Sequence, residues 1–337
     1  PAAPQALPPS KPPSPAALAG LLPHRVAAVQ SRGQRLPGEI PLPGVSRHNV
    51  TKVVRHRGKP PEDPREAAFT MFDVGGTMFD WLQTQGERFV QDIFHDVLDS
   101  GCRRDMGPEE AWDKAVVIDV GANSGFYGLL ALAHGCAVVF VEPQPECNAL
   151  ITMSIAASRL DQRKVRRVAR PLGGPSSRGT SLEVELDNHC EGRFPIVNKE
   201  RHHANAYGAR GSTGKDSAIS VPFLVVEEGL QSAGLTSKSK VLLVKIDTEG
   251  FELVILQALL PTLRTWQVAN LIAEITPMWW SNTGFTLQQG AAIVEEVAAL
   301  GYEGRIQRRG FGSPADLGRW ISLRRVYQDD LWLKRTR

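Results

Sequence analysis

Cysteine is scarce in this sequence, and no two cysteines stand close together. The four that are present are Cys102, Cys136, Cys147 and Cys190, and none belongs to a Cys-x-x-Cys pair. Zinc sites and disulfide-rich folds show short, regular cysteine spacings, so both classes are disfavoured. We interpret the four residues as buried or incidental thiols, and we predict no metal site.

The sequence also lacks a large charge excess and any long hydrophobic run. With 39 basic and 36 acidic residues, the formal net charge of +3 does not indicate a nucleic-acid partner, although the last forty residues are locally basic. The apolar stretch that begins at Ala16 is shorter than the ~20 residues of a membrane-spanning helix, and it contains Pro23 and Arg25. We therefore expect no membrane segment in the sequence given.

The start of the sequence leaves the location of the protein open. The first residue is a proline, so a targeting segment could precede it. The protein could then work in a secretory or Golgi lumen, or in an organelle behind a removed N-terminal segment. Otherwise it would work in the cytoplasm.

Proline is concentrated at one end of the chain. Fourteen of the 24 prolines lie in the first 64 residues, which show no sustained apolar period. We predict a proline-rich, extended and mostly unpacked arm over 1–65. A helical extension should follow over 66–110, because apolar residues from Trp81 to Val97 have approximately helical spacing. The remaining residues, 111–337, should form one catalytic domain.

Short apolar runs alternate with helical segments after residue 110. Strands are predicted at 116–120, 137–141, 240–247 and 270–275, with helices between them, and two short strands at 302–307 and 320–326 close the chain. This alternation is typical of an α/β fold with a doubly wound, mostly parallel sheet, whose ligands bind beyond the carboxyl ends of the strands. Four acids lie at or near those ends, namely Asp119, Glu142, Asp247 and Glu274.

The first predicted strand of this domain ends in a glycine turn, in the sequence VVIDVGANSGFYG. Gly121 and Gly125 permit backbone angles and close approaches that a side chain would block. The turn does not fit a dinucleotide fingerprint, because Asn123 and Phe126 occupy the positions of the later glycines. Carboxylates beside the turn disfavour a phosphate and suit a ligand with a cationic or hydroxyl-rich edge, such as S-adenosylmethionine (SAM).

Three segments in this order resemble the FkbM-like family of SAM-dependent methyltransferases. They are VVIDVGANSGFYG, VVFVEPQPECNAL and VLLVKIDTEGFELVILQAL, within a resemblance that covers roughly 112–308. The resemblance implies a seven-stranded class I methyltransferase sheet with an antiparallel last strand. It also implies O-methylation, often of a sugar or another hydroxylated acceptor. Gly121, Asn123 and Gly125 would form the cofactor turn, and Glu142 would hold the ribose.

The acids near the later strand ends supply the predicted catalytic residues. Asp247 could orient or deprotonate the acceptor hydroxyl, or it could bind the ammonium group of the cofactor, and Asp119 is a further cofactor-binding candidate. Glu249 should open the following helix, where an acid also complements the helix dipole. Glu274, at the end of the next strand, is the third catalytic candidate.

The acceptor side of the site is harder to predict. The segment 188–217 is long enough to be functional or mobile, and it carries His189, His202 and His203, which we interpret as solvent-exposed. One of Trp279 and Trp280 is expected to face the acceptor. A further strand is predicted at the start of VRRVARPLGG, 165–174, and the RPLGG that ends this segment leaves the adenine contact unassigned.

Two other functions stay open from the sequence alone. One is an RNA ribose 2′-O-methyltransferase, although nucleic acid is the less expected partner, and the other is a non-catalytic homologue that binds SAM or a glycan. The expected acceptor is a glycan or a small molecule. The sequence gives no oligomeric state.

Overall fold

The computed structural model describes residues 45–50, 69–74, 87–185, 190, 218–277, 280–306, 310–312, 316, 318–319 and 329–336. A single large sheet organises most of them. Its strands are β3 (Val116–Val120), β4 (Ala137–Val141), β5 (Val165–Val168), β10 (Lys240–Ile246), β11 (Gln267–Val268), β12 (Asn270–Ile275), β13 (Tyr302–Ile306), β14 (Gly310–Gly312) and β15 (Asp329–Arg335).

Seven of these strands form the body of the sheet, in the order β5-β4-β3-β10-β12-β15-β13. The pairs from β5 to β12 are parallel, whereas β15 runs antiparallel to both of its neighbours. The short strands β11 and β14 extend the sheet to nine strands. The doubly wound, mostly parallel sheet with an antiparallel last strand is therefore confirmed.

Seven helices lie among the described residues. They are α1 (Arg88–Gly101), α2 (Pro108–Lys114), α3 (Phe126–Ala133), α4 (Pro145–Ala157), α5 (Val226–Ser232), α6 (Glu252–Thr265) and α7 (Leu287–Ala299). The predicted amphipathic helix is α1, which buries Phe89, Ile93, Phe94 and Val97. Helix α7 begins with a capping box, in which Thr286 and Gln289 satisfy each other's backbone amides.

The core of the protein lies on both faces of the central strands. Every residue of β3 and β4 is buried, as expected for parallel strands that are covered by helices on each face. Burying one such valine or isoleucine stabilises the fold by roughly 1.5–3 kcal/mol. These strands consequently form a rigid base for the loops at their carboxyl ends.

Small sheets accompany the large one. β6 (Leu172–Gly173) pairs with β9 (Leu224–Val225), and β7 (Ser181–Glu185) forms an antiparallel pair with β8 (Ala218–Pro222). Most of the segment between β7 and β8, including His189, His202 and His203, lies outside the described residues. The predicted strand at 320–326 also lies outside them, and the prediction missed β15.

The proline-rich arm was assigned too far along the chain. Within the predicted arm, β1 (Val45–Val50) forms an antiparallel pair with β2 (Phe69–Val74). The backbone amides of Thr70 and Phe72 in β2 donate to the hydroxyls of Ser158 and Ser154, at 2.7 and 3.0 Å. Composition alone could not reveal this strand, because its partner β2 lies 19–29 residues further along the chain.

The interpretation of the cysteines was wrong, because all four form disulfides. Cys102, after α1, bonds Cys136, before β4, and Cys147 of α4 bonds Cys190. The Cα atoms are 5.3 and 5.1 Å apart, within the usual range for a disulfide. The partners are 34 and 43 residues apart in sequence, so only the fold brings them together.

No helix in the described part of the chain is long and apolar enough to cross a membrane.

Candidate active site

The glycine turn after β3 can form only with glycine at its tightest point. Gly121 has φ 75° and Gly125 has φ 91°, and Asn123 between them also lies in the left-handed region, with φ 52°. A Cβ atom on Gly121 would stand 1.7 Å from the carbonyl oxygen of Asp247. The turn therefore packs directly against the residue that follows β10, and the two predicted halves of the site are adjacent.

Glu142 lies beside this turn, directly after β4. Its Oε2 accepts a hydrogen bond from the Asn123 amide at 2.8 Å, and its Oε1 accepts one from the Gln144 amide at 2.9 Å. Burial raises the pKa of Glu142 to about 7, although both amides favour the ionised form. Each oxygen keeps a second lone pair, so the carboxylate can accept two further donors, as a ribose diol would provide.

Asp119, the fourth residue of β3, has one oxygen without a protein partner. Its Oδ2 accepts from the Gly128 amide at 2.9 Å, whereas Oδ1 has no hydrogen-bond partner among the described residues. The residue is only 1% exposed, and burial raises its pKa, while the positive charge of Lys245 lowers it. A buried acceptor of this kind suits a ligand donor, and together with the glycine turn it fits a cofactor with a cationic end.

Lys245 and Asp247 form an ion pair at the end of β10. The ammonium Nζ donates to Asp247 Oδ2 at 2.8 Å, and Lys245 lies opposite Asp119 in the register of β10 with β3. Burial opposes the charge of Lys245, but Asp247, Asp119 and Glu87 outweigh it and raise the pKa of the lysine above its ordinary value. Lys245 is therefore a permanent cation.

Asp247 is the partly exposed member of this ion pair. Its side chain is 24% exposed, against 6% for Lys245, and its second oxygen has no hydrogen-bond partner among the described residues. Lys245 was not predicted as a site residue. The signal was present in the alternation of the strand, because residues two apart point to the same face.

Glu249 does not open the helix that follows β10, so that prediction was wrong. It lies in the turn before α6, with φ 53°, and is partly exposed. The acid at the start of α6 is Glu252, which is completely buried. Its Oε1 accepts from the amides of Thr248 and Gly250 at 3.0 and 2.9 Å, and its Oε2 accepts from the Thr276 hydroxyl at 2.9 Å.

Glu252 thus fixes the turn that carries Asp247 and Glu249, and sequence reasoning missed it. Its position in the KIDTEGFE stretch was visible. Its hydrogen bonds were not, because they join the turn after β10 to the residue directly after β12.

Glu274 lies on β12 in the same transverse row as Asp247. The register pairs Ile246 with Ala273, so Asp247 and Glu274 each follow by one residue. On its other side, Glu274 pairs with Asp330 of β15. The structure therefore brings Glu274 to the predicted edge of the sheet, where it is buried.

Trp280 is a core residue and does not face an acceptor. It is fully buried, and a Cβ atom on Gly290 would come within 2.2 Å of its ring. Trp279, like the three histidines of the long segment, lies outside the described residues.

A comparison with protein families identifies the domain that contains this site. Residues 119–303, just over half of the chain, match the family model described as the methyltransferase FkbM domain. The chain belongs to the FkbM methyltransferase family. As an FkbM methyltransferase it uses SAM, and the glycine turn, Glu142 and the free oxygen of Asp119 are groups that can hold this cofactor.

Three solved structures are similar to this FkbM protein at low identity. Precorrin-6y C5,15-methyltransferase from Geobacter metallireducens GS-15 is 12% identical, with a TM-score of 0.34, and the match covers 73% of this chain and 89% of that one. A putative SAM-dependent methyltransferase from Streptococcus mutans is 11% identical, with a TM-score of 0.37 and coverages of 79% and 53%. Cofactor-bound Rv0187 from MTB is 9% identical, with a TM-score of 0.32 and coverages of 83% and 98%. The comparison with curated proteins gives no match.

Proposed function

We propose that this FkbM protein is an O-methyltransferase that methylates a hydroxyl of a sugar, a glycan or another hydroxylated small molecule. The observation that carries the proposal is the Asp247 carboxylate. One of its oxygens is fixed by Lys245, the other has no hydrogen-bond partner among the described residues, and the residue adjoins the glycine turn. A carboxylate in this position can align an acceptor hydroxyl and take its proton.

The reaction requires the protein to align the acceptor oxygen with the methyl group and to provide a proton acceptor. SAM supplies an activated methyl group, so an oxygen–carbon bond forms as the carbon–sulfur bond breaks. The acceptor proton passes to Asp247 and then to water. Lys245 cannot be the base, because the surrounding carboxylates keep it charged.

The charges near the ion pair disfavour a phosphorylated acceptor. Lys245 is the cation that interacts with Asp247, Asp119 and Glu87, so these acids outnumber it. A phosphodiester would be repelled at short range, which argues against methylation of RNA ribose. A non-catalytic role is also disfavoured, because the ion pair with Lys245 uses only one oxygen of the partly exposed Asp247 carboxylate and gives the other, beside the cofactor turn, no role.

The disulfides support a location in an oxidising compartment. Structural disulfides persist in secretory compartments and are rare in the reducing cytosol, and here two pairs join all four cysteines. We include a secretory lumen in the proposal. Alkylation of the unreduced, denatured protein should label no cysteine, and labelling of all four in protein isolated from its native source would contradict this location.

The test of the function is a methyl-transfer screen with the full chain. SAM carrying a labelled methyl group is offered with three panels: neutral glycans, hydroxylated small molecules, and RNA. Label should appear in one of the first two panels, on oxygen, and should disappear in Asp247→Asn. Label in RNA alone would replace the proposal by ribose methylation, and SAM binding without any transfer would favour the non-catalytic role.

A further inference from the structure

We propose that Glu87 is a positioning residue for methyl transfer, which holds the Lys245–Asp247 ion pair in place through the side chain of Tyr127. The inference rests on the proposed function, because Asp247 is the group that it positions. Glu87 lies outside residues 119–303, so the family match assigns it no role.

The backbone of Glu87 takes up an unfavourable conformation to make this contact. The residue precedes α1 and has φ 52° and ψ 27°, a left-handed conformation that is unfavourable for a residue with a Cβ atom. An acid here could bond the free amides of the first helical turn, yet Glu87 makes no capping bond. Its Oε2 instead accepts a hydrogen bond from the Tyr127 hydroxyl, 40 residues along the chain.

Tyr127 links this carboxylate to the ion pair. It lies in the first turn of α3, directly after the glycine turn, and the centroid of its ring is 4.9 Å from the Lys245 ammonium. This is a favourable distance for a cation–π interaction. Burial, and then the charge of Glu87, raise the pKa of Tyr127 well above 10, so the phenol stays a neutral donor. Fixing its hydroxyl therefore fixes the ring against the ammonium.

The position of Lys245 matters because other carboxylates compete for it. The ammonium bonds Asp247 Oδ2, but Asp119 on β3 and Asp330 on β15 also attract it. Without Glu87, the Tyr127 ring loses its anchor and the ammonium can shift towards these acids. Asp247 would then lose its fixed orientation, whereas Glu142 and the glycine turn would be unaffected.

The first experiment measures turnover in a double-mutant cycle, with the acceptor found in the screen. Glu87→Ala and Tyr127→Phe should each lower kcat roughly tenfold, leave the KM for SAM within about twofold, and be no worse in combination. Glu87→Gln keeps a hydrogen-bond acceptor and should retain most of kcat. The control is Tyr302→Phe, which removes another buried tyrosine hydroxyl, bonded to the Val268 carbonyl at 2.8 Å, far from the site in the fold.

The second experiment needs no acceptor. Sinefungin carries an ammonium group in place of the methylsulfonium of SAM, so its affinity relative to S-adenosylhomocysteine depends on the carboxylate at the transfer position. This ratio should fall about three- to tenfold in Glu87→Ala and Tyr127→Phe, and it should not change in Tyr302→Phe. Normal S-adenosylhomocysteine binding in each variant shows that the site is folded.

Three results would overturn the positioning role. If Tyr127→Phe kept the wild-type turnover and the wild-type ratio of sinefungin to S-adenosylhomocysteine affinity, Tyr127 would not connect Glu87 to the ion pair. The same conclusion would follow if the effects of the two single variants multiplied in the double variant. A loss in Glu87→Gln as large as in Glu87→Ala would mean that Glu87 acts through its charge alone. In contrast, if Asp247→Asn itself kept the wild-type ratio and turnover, the proposed function would fail instead.

Discussion

The two halves of the candidate site are built in different ways. The cofactor half lies in one continuous stretch from β3 to the start of α4, and it works through backbone geometry, as in the amides that bond Glu142. The acceptor half gathers Glu87, Tyr127, Lys245, Asp247 and Asp330 from four separate parts of the chain. Site residues that lie in one stretch of the chain form a recognisable sequence motif, whereas site residues from distant segments form almost none.

This difference predicts that variants in the two halves will fail in different assays. The largest effect is expected for Asp247→Asn. The turnover number should fall about 1,000-fold, in the range that a lost general base usually costs, because the amide can no longer take the acceptor proton. The dissociation constant for SAM, measured by calorimetry, should stay within a fewfold of the wild-type value. A large loss of SAM affinity would instead mean that Asp247 binds the cofactor ammonium. Asp247 would then belong to the cofactor half as well as to the acceptor half.

Gly121→Ala should produce the opposite result. The added Cβ atom overlaps the Asp247 carbonyl, so the turn must shift at a cost of about 2–3 kcal/mol, equivalent to a loss of SAM affinity of about 30- to 150-fold. Gly179→Ala is the matched control, because Gly179 has a positive φ of 78° but no neighbour within 4 Å of the new atom. Equal losses in both variants would show that the left-handed conformation matters and the close approach does not.

Glu142 should make SAM binding depend on pH. Its pKa of about 7 lies above its ordinary value of 4.5, and donors from a ribose favour the ionised form, so SAM affinity should rise with pH and level off above about 7. Without SAM the sign is reversed, and the free energy of unfolding should fall as the pH rises from 4.5 to about 7. Glu142→Gln should weaken SAM binding about tenfold at pH 8 and flatten both profiles.

The control for this prediction is Glu183→Gln, which changes an exposed acid on β7. A pH profile that survives unchanged in Glu142→Gln would assign the titration to another group.

The smallest effect is expected for Thr276→Val. The change removes the hydroxyl that bonds Glu252 Oε2, so the free energy of unfolding should fall by about 1 kcal/mol, as measured by chemical denaturation. Turnover should fall by no more than about threefold, with SAM binding unchanged, because Glu252 still holds the amides of Thr248 and Gly250. Thr180→Val, at an exposed turn, is the control. If the two variants had the same free energy of unfolding, the hydrogen bond from Thr276 to Glu252 would not stabilise the fold as proposed.

The sequence was sufficient for the parallel sheet and for the glycine turn after β3. Buried strands have apolar runs, and a turn with two left-handed glycines needs glycine at fixed positions, so β3, β4 and the turn could be predicted from their own residues. The antiparallel last strand came from the family resemblance, although the position of β15 along the chain did not.

The sequence was insufficient wherever a contact joins distant segments. Nothing around Cys147 points to Cys190, and nothing around Glu87 points to Tyr127, since each partner is set by the tertiary fold. Glu249 was assigned to the helix because the start of α6 was placed three residues too early, and the buried acid is Glu252. Trp280 looked like a recognition residue because its burial depends on Gly290, which the sequence does not place beside it.

The position of β15 has a consequence for biosynthesis. β12 and β13 leave the ribosome before β15, yet β15 lies between them and forms hydrogen bonds with both. Until it is inserted, the edges of β12 and β13 that pair with it have no partner strand, and each can recruit a foreign strand. A nascent chain stalled before residue 329 should therefore be the most aggregation-prone stage of its synthesis and the one most dependent on chaperones.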